Sequence, residues 1–327
     1  MVISLSGKAC LVTGGAGFGG AHLTEQLLAR GAKVVVLDRW LPRTSYLVLA
    51  GLLPKVDFLQ GDVRDLDLVR QTLERFDIDT VFHLAAQPLV PTSNALPLET
   101  LSVNAMGTYV VLEAIRGSTR TKRLVFASSG AYYGTTSGAD PIREDDAPLI
   151  ATNIYAPSKA AADLAVRCYA KIYGLKAAVC RFMNTYGPGD TNFSRLVPRA
   201  AKNLIEGAAF DFGDRDDGTT VLTYMHVRDM ASAYIRMAER LDTIAGEAFN
   251  FGGDRALATR EMASLCARAF GGEEREPLFH GPRREVPLRK MLATQKARES
   301  LGWAPETPLE EGLRETFAWY RQFWDQL

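Results

Sequence analysis

The sequence predicts an α/β fold, a doubly wound parallel sheet with a smaller C-terminal α/β lobe. Three observations predict it. Short apolar runs alternate with helix-periodic segments as far as Phe182, a glycine-rich turn joins the first run to the first helix, and the alternation weakens beyond that point.

In chain order, Ala9 to Thr13 is the first strand, and Gly14-Gly15-Ala16-Gly17-Phe18-Gly19-Gly20 follows it directly. Leu23, Leu27 and Leu28 then recur at helical spacing until Gly31 stops the helix. Lys33 to Leu37 is the next strand, and Asp38 ends it. A glycine turn between strand and helix lets backbone amides approach a pyrophosphate at the helix N-terminus. An acidic residue roughly 20 positions on receives the adenosine ribose hydroxyls. Gly14, Gly17, Gly20 and Asp38 therefore predict a Rossmann-like dinucleotide site. The Asp38 carboxylate would repel a 2′-phosphate and argues for NAD over NADP, while Arg39 is a mild counter-signal.

The alternation continues with a strand at Val56 to Leu59, leading into Gly61-Asp62-Val63, and a helix at Leu66 to Phe76. Thr80 to Leu84 is a buried strand that runs into Ala85-Ala86-Gln87. Glu99 to Arg116 reads as one long helix and Arg123 to Ala127 as a strand. Ligands of such sheets sit at the C-terminal strand ends. Gly14, Asp38, Asp62, Ala85 and Ser128-Ser129 all fall there.

Next comes Ala151-Thr152-Asn153-Ile154-Tyr155-Ala156-Pro157-Ser158-Lys159-Ala160, opening a helix that runs to Tyr173. Tyr155 and Lys159 are one helical turn apart and project from one face. An ammonium beside a phenol favours the ionised form, turning a group of pKa roughly 10 into a usable general base.

After a strand at Ala177 to Phe182, Asp211 to Gly218 is loop-like, Met230 to Leu241 helical and Gly271 to Pro287 loop-rich. Leu309 to Trp324 closes the chain as an aromatic amphipathic helix. Residues 1–182, with 224–252 returning to them, are expected to form the NAD-binding domain. Residues 183–223 and 253–327 are expected to form a substrate-binding lobe.

Lys plus Arg (38) balance Asp plus Glu (38), so no nucleic-acid or acidic-lipid partner is expected. Cys10, Cys168, Cys180 and Cys266 lie in apolar contexts without a Cys-x-x-Cys and read as buried reduced thiols. His22, His83, His226 and His280 are too scattered for a metal site. No apolar run reaches about 18 residues and the first residues lack a secretory pattern, so a cytoplasmic protein without a membrane span is expected.

Thr13-Gly14-Gly15-Ala16-Gly17-Phe18, Asp62-Val63, His83-Leu84-Ala85-Ala86, Ser129, Tyr155-x-x-x-Lys159 and Arg181-Phe182-x-Asn184-x-Tyr186-Gly187-Pro188 occur in this order. Together they resemble the extended short-chain dehydrogenase/reductases, specifically the NAD-dependent nucleotide-sugar epimerases and dehydratases. The resemblance implies that Phe18 joins the glycine turn at the pyrophosphate, that Asp62 and Val63 meet the adenine, and that Leu84, Ala85 and Ala86 underlie the cofactor's middle. Tyr155 would take the proton of the sugar 4-hydroxyl, with Lys159 on the nicotinamide ribose and Ser129 on the same sugar oxygen. Asn184 would approach the substrate diphosphate. The helices Glu99 to Arg116 and Thr152 to Tyr173 would pair between subunits into a homodimer.

Two segments, Gln87 to Thr108 and Gly189 to Pro198, are similar to the CDP-glucose 4,6-dehydratase branch. Similar dehydratases carry proton-transferring side chains in the two positions after the Ser129 equivalent, and Gly130 and Ala131 cannot transfer a proton. The chemistry therefore favours a C4 epimerase of an NDP-hexose or NDP-hexuronic acid, with a 4,6-dehydratase or 4-ketoreductase as the alternative. Many relatives also have Arg where Leu222 stands, at the nucleotide diphosphate. Arg195, Arg283 or Arg284 would have to supply that charge here.

Overall fold

The computed structural model describes residues 3–134, 140–146, 151–271, 274–283 and 285–327. Arg284 lies outside them. In chain order the strands are β1 (Ala9–Thr13), β2 (Lys33–Asp38), β3 (Asp57–Gln60), β4 (Thr80–His83), β5 (Arg123–Ser129) and β6 (Lys176–Phe182). They are followed by β7 (Thr185–Tyr186), β8 (Val221–Thr223), β9 (Met225–His226), β10 (Ala248–Phe251), β11 (Ala256–Ala258) and β12 (Arg289–Lys290).

The main sheet has seven strands in the order β10-β6-β5-β4-β1-β2-β3, and every pairing in it is parallel. Strand order reverses at β1, which lies between β2 and β4 and opens the crevice where such sheets hold ligands. The central strands are buried on both faces, hence their unbroken apolar sequences. Successive side chains still sort to opposite layers. Cys10 and Val12 pack on one face with Val34, Val36, Phe82 and Val125. Leu11 packs on the other with Val35, Leu37, Val81 and Leu124. The helix Val227–Ile244 lies against the helix Phe18–Ala29 and β6, and the chain then adds β10 at the sheet edge.

The remaining segments build a second core. Helices Leu196–Ile205, Thr259–Gly271 and Leu309–Phe323 enclose Leu204, Phe212, Met262, Phe317 and Tyr320, beside a small sheet of order β11-β8-β12.

Two expectations need correction. The stretch Glu99 to Arg116 is not one α-helix. A helix at Pro97–Leu101 passes into a π-helical turn, Ser102–Met106, before α-helix resumes at Gly107–Gly117. Cys168 is exposed on the helix Tyr155–Tyr173, whereas Cys10, Cys180 and Cys266 are buried. Among the described residues no helix is long and apolar enough to cross a membrane.

Candidate active site

A cleft of about 1230 Å³ runs along the C-terminal strand ends and between the two cores. Its wall includes Gly14, Gly17, Phe18, Gly20, Asp38, Arg39, Val63 and Leu84 to Ala86, and further along Ser129, Tyr155, Lys159, Asn184 and Arg195.

The glycine turn is shaped by close backbone approach. Gly14 has φ +72°, and a Cβ there would meet the Ala85 nitrogen at 2.7 Å. A Cβ on Gly20 would lie 2.3 Å from the Gly14 carbonyl oxygen. The helix that follows has neither a side-chain cap nor an acidic residue in its first turn. Its terminal N–H groups and positive dipole end thus suit a pyrophosphate. The Ala16 amide donates to Asp38 Oδ2 at 3.0 Å, which fixes the carboxylate beside the turn. Burial raises the Asp38 pKa, against hydrogen bonds from the Ala16, Trp40 and Arg39 amides that lower it.

Arg39 points elsewhere. Its Nη1 donates to Glu99 Oε1 at 3.1 Å, and its Nε lies 3.7 Å from Asp62 Oδ2. Arg64 holds the same two carboxylates, at 2.7 Å to Asp62 and 2.9 Å to Glu99. Arg39, the cation beside Asp38 that could have welcomed a 2′-phosphate, is thus engaged with carboxylates. Asp62 itself is not among the cleft-lining residues; Gly61 and Val63 on either side of it are.

The helix Tyr155–Tyr173 starts at the cleft, and just before it Asn153 Oδ1 accepts from the Ala156 amide at 3.0 Å. Ser129 Oγ accepts from the Ala131 amide at 3.1 Å, and both Ser129 and Tyr155 line the cleft. Burial raises the Tyr155 pKa, opposed by the Ser129 hydroxyl and the Arg195 charge. Lys159 does not bond the phenol. Its Nζ donates to the Ala127 carbonyl at 2.8 Å, and burial lowers its pKa to about 8. The sequence pattern assigned the tuning of Tyr155 to Lys159 alone, and here a charge from the second core, Arg195, takes part.

Beneath Ser129 lies a buried polar network. Asp163 and Arg181 are both fully buried and pair at 2.9 Å through two hydrogen bonds. Ser128 donates to Asp163 at 2.8 Å, while Arg181 donates to the Tyr133 hydroxyl at 2.6 Å and stacks 3.6 Å over the Tyr132 ring. The turn Gly130–Tyr133 is thus fastened from below.

Sequence reasoning assigned no role to Asn104, which the π turn carries. Its Oδ1 accepts from the Gln87 amide at 2.7 Å, and its Nδ2 donates to the Gln87 carbonyl at 3.0 Å and to Ser158 Oγ at 2.9 Å. Ser158 in turn donates to the Tyr155 carbonyl at 2.7 Å. Asn104 therefore ties the loop after β4 to the start of the Tyr155 helix. A buried polar residue within an apolar run was the available signal.

On the substrate side, Asn184 has a positive φ of 50° and donates through Nδ2 to the Thr223 carbonyl at 3.1 Å. Arg195 is held by Asp190 at 3.1 Å. Leu222 lines the cleft, but Arg283 does not.

A glycine turn beside a half-buried carboxylate, with Ser129, Tyr155 and a buried Lys159 in the same cleft, fits a site for a dinucleotide. Residues 10–252 match the model of the NAD dependent epimerase/dehydratase family, and the chain belongs to that family. It is 34% identical to a UDP-glucose 4-epimerase of Halalkalibacterium halodurans, over 96% of each chain. It is 31% identical to a dTDP-glucose 4,6-dehydratase of Mycolicibacterium smegmatis, over 95% of this chain and 92% of that one. The crystal structure of the Thermus thermophilus UDP-glucose 4-epimerase in complex with NAD superposes with a TM-score of 0.82 at 32% identity, covering 96% of this chain and 99% of that one. The protein is an NAD-dependent enzyme of this family.

Proposed function

We propose that the enzyme is a C4 epimerase of a nucleotide-linked hexose or hexuronic acid. The carrying observation is at position 130. A Cβ on Gly130 would lie 2.3 Å from the flexible end of Met183 and 3.5 Å from Leu292 Cδ1, and the glycine that stands there has no group able to carry a proton. Ala131, which lines the cleft, offers a methyl group. Neither position can remove the C5 proton or assist departure of the 6-hydroxyl, both of which dehydration requires.

NAD, held along the glycine turn and Asp38, would supply the hydride acceptor and later the donor. Tyr155 takes the 4-hydroxyl proton as the C4–H bond breaks, and returns it to the new hydroxyl. Ser129 holds the same oxygen. Lys159, anchored to Ala127, fixes the helix face on which Tyr155 stands. Hydride returning to the opposite face of the 4-keto sugar gives the C4 epimer, with no water lost and no net cofactor used.

Turnover in heavy water tests the reading. Hydride transfer at C4 alone leaves C5 and C6 free of deuterium, as read by NMR of the product. Deuterium at either carbon, or a stable 4-keto-6-deoxy sugar, would make the enzyme a dehydratase.

Residues 1–182 with 224–252 are read as the NAD-binding unit and 183–223 with 253–327 as the substrate lobe. The four unpaired cysteines suit the reducing cytoplasm. We also read the enzyme as a homodimer, supported by the exposed apolar side chains Leu98, Met106, Tyr109, Leu164, Ile172 and Tyr173 on adjoining helical segments. Light scattering at micromolar concentration is expected to give about twice the 35.8 kDa chain mass, and a monomer mass would refute the pairing.

A further inference from the structure

One cation in the cleft has no part in the chemistry above. Lys290 lies on β12 in parallel register with Leu222 of β8, and both residues line the cleft together with Ser129, Ala131 and Tyr155. Its Nζ donates to the Gly134 carbonyl at 2.8 Å. Gly134 follows the turn Gly130–Tyr133, which begins at Ser129. Lys290 is therefore tethered to the segment that holds the reacting C4 oxygen. Among the described residues no carboxylate lies within ion-pair distance of its ammonium, and burial alone shifts its pKa, downward.

A half-buried ammonium without a counter-ion, facing a substrate cleft, is disfavoured until an anion arrives. A nucleotide-linked sugar brings anions at two places. The diphosphate hangs from C1, across the ring from C4, whereas a hexuronic acid carries its carboxylate on C5, the carbon next to C4. A cation fastened to the Ser129 turn stands at the C4 end of the ring. Its strand neighbour Leu222 adds no charge, and the Ala131 methyl leaves room there.

We infer that Lys290 receives the C6 carboxylate of a nucleotide-linked hexuronic acid and so selects hexuronates over neutral hexoses. The inference rests on the epimerase reading for where C4 sits, and it deepens that reading by naming the substrate class.

Binding separates the two questions, because it needs no turnover. NAD-loaded Tyr155→Phe protein is titrated calorimetrically with UDP-glucuronate, UDP-glucose and UDP, with and without Lys290→Met. UDP-glucuronate is expected to bind about ten- to a hundredfold more tightly than UDP-glucose, the range for a partly desolvated charge pair. Lys290→Met should abolish that preference while leaving UDP and UDP-glucose unchanged, and Lys290→Arg should keep it. Equal affinity of the unsubstituted site for both sugars would overturn the inference. So would a uniform loss for all three ligands in Lys290→Met, which would put the ammonium at the diphosphate. Failure of the epimerase reading would appear separately, as deuterium at C5 or C6 of the product formed by the Tyr155-intact enzyme.

Discussion

Tyr155→Phe is expected to lower turnover by about 10²–10⁴-fold, the range general-base catalysis contributes. The substitution removes one oxygen and leaves the ring that fills the cleft wall. The phenol oxygen is lost, and Lys159, turned to the Ala127 carbonyl, is not placed to take over the 4-hydroxyl proton. The glycine turn and Asp38 are untouched, so NAD retention, read by absorbance of the denatured supernatant, should match that of the unmodified protein. Near-full activity in Tyr155→Phe would show that another group moves the proton.

Arg181→Met is expected to destabilise the fold by about 3–5 kcal/mol, because it strands the Asp163 carboxylate in a fully buried position. Among the described residues, Ser128 alone would still hydrogen-bond that carboxylate. Urea unfolding read by fluorescence measures the loss. The double variant Arg181→Met/Asp163→Leu should recover most of it, since an apolar pair of similar volume removes the desolvation cost along with the attraction. A loss under about 1 kcal/mol in the single variant would mean that the network does not secure the fold. The pair also underlies Ser128 and the Tyr132–Tyr133 turn, so slower turnover in the surviving folded fraction is expected as well.

What could be read from the sequence was local. The apolar strands, the glycine turn and the Tyr155–Lys159 spacing are set by residues a few positions apart, so periodicity and backbone sterics reveal them. Ser129 and Asp38 were legible because each ends a strand, and the ends of parallel strands face the cleft. The features that escaped depend on contacts across the chain. Lys290 reaches the site only because β12 docks beside β8. Arg283 carries the right charge, yet its loop does not bring it into the cleft. Lys159 turns to a carbonyl on β5, and Arg39 to Glu99, because these are the acceptors that folding sets beside them. Spacing within one helix or one strand says nothing about such neighbours.

The π turn at Ser102–Met106 also gives the long helix a shift of phase that its sequence does not announce. An α-helix rotates about 100° per residue, so a turn wound wider by one residue swings everything after it by about that angle. A helical wheel drawn straight through Glu99 to Arg116 would merge two differently aimed faces. The wide turn lets Val103, Asn104 and Ala105 be buried in succession, while Thr108, Val111, Leu112 and Ile115 keep an ordinary buried stripe beyond it. Chain length here is therefore as constrained as residue identity. Removing Ser102 from the turn would preserve every apolar side chain of the helix, yet rotate Asn104 away from either Gln87 or the face that the downstream helix presents to the core.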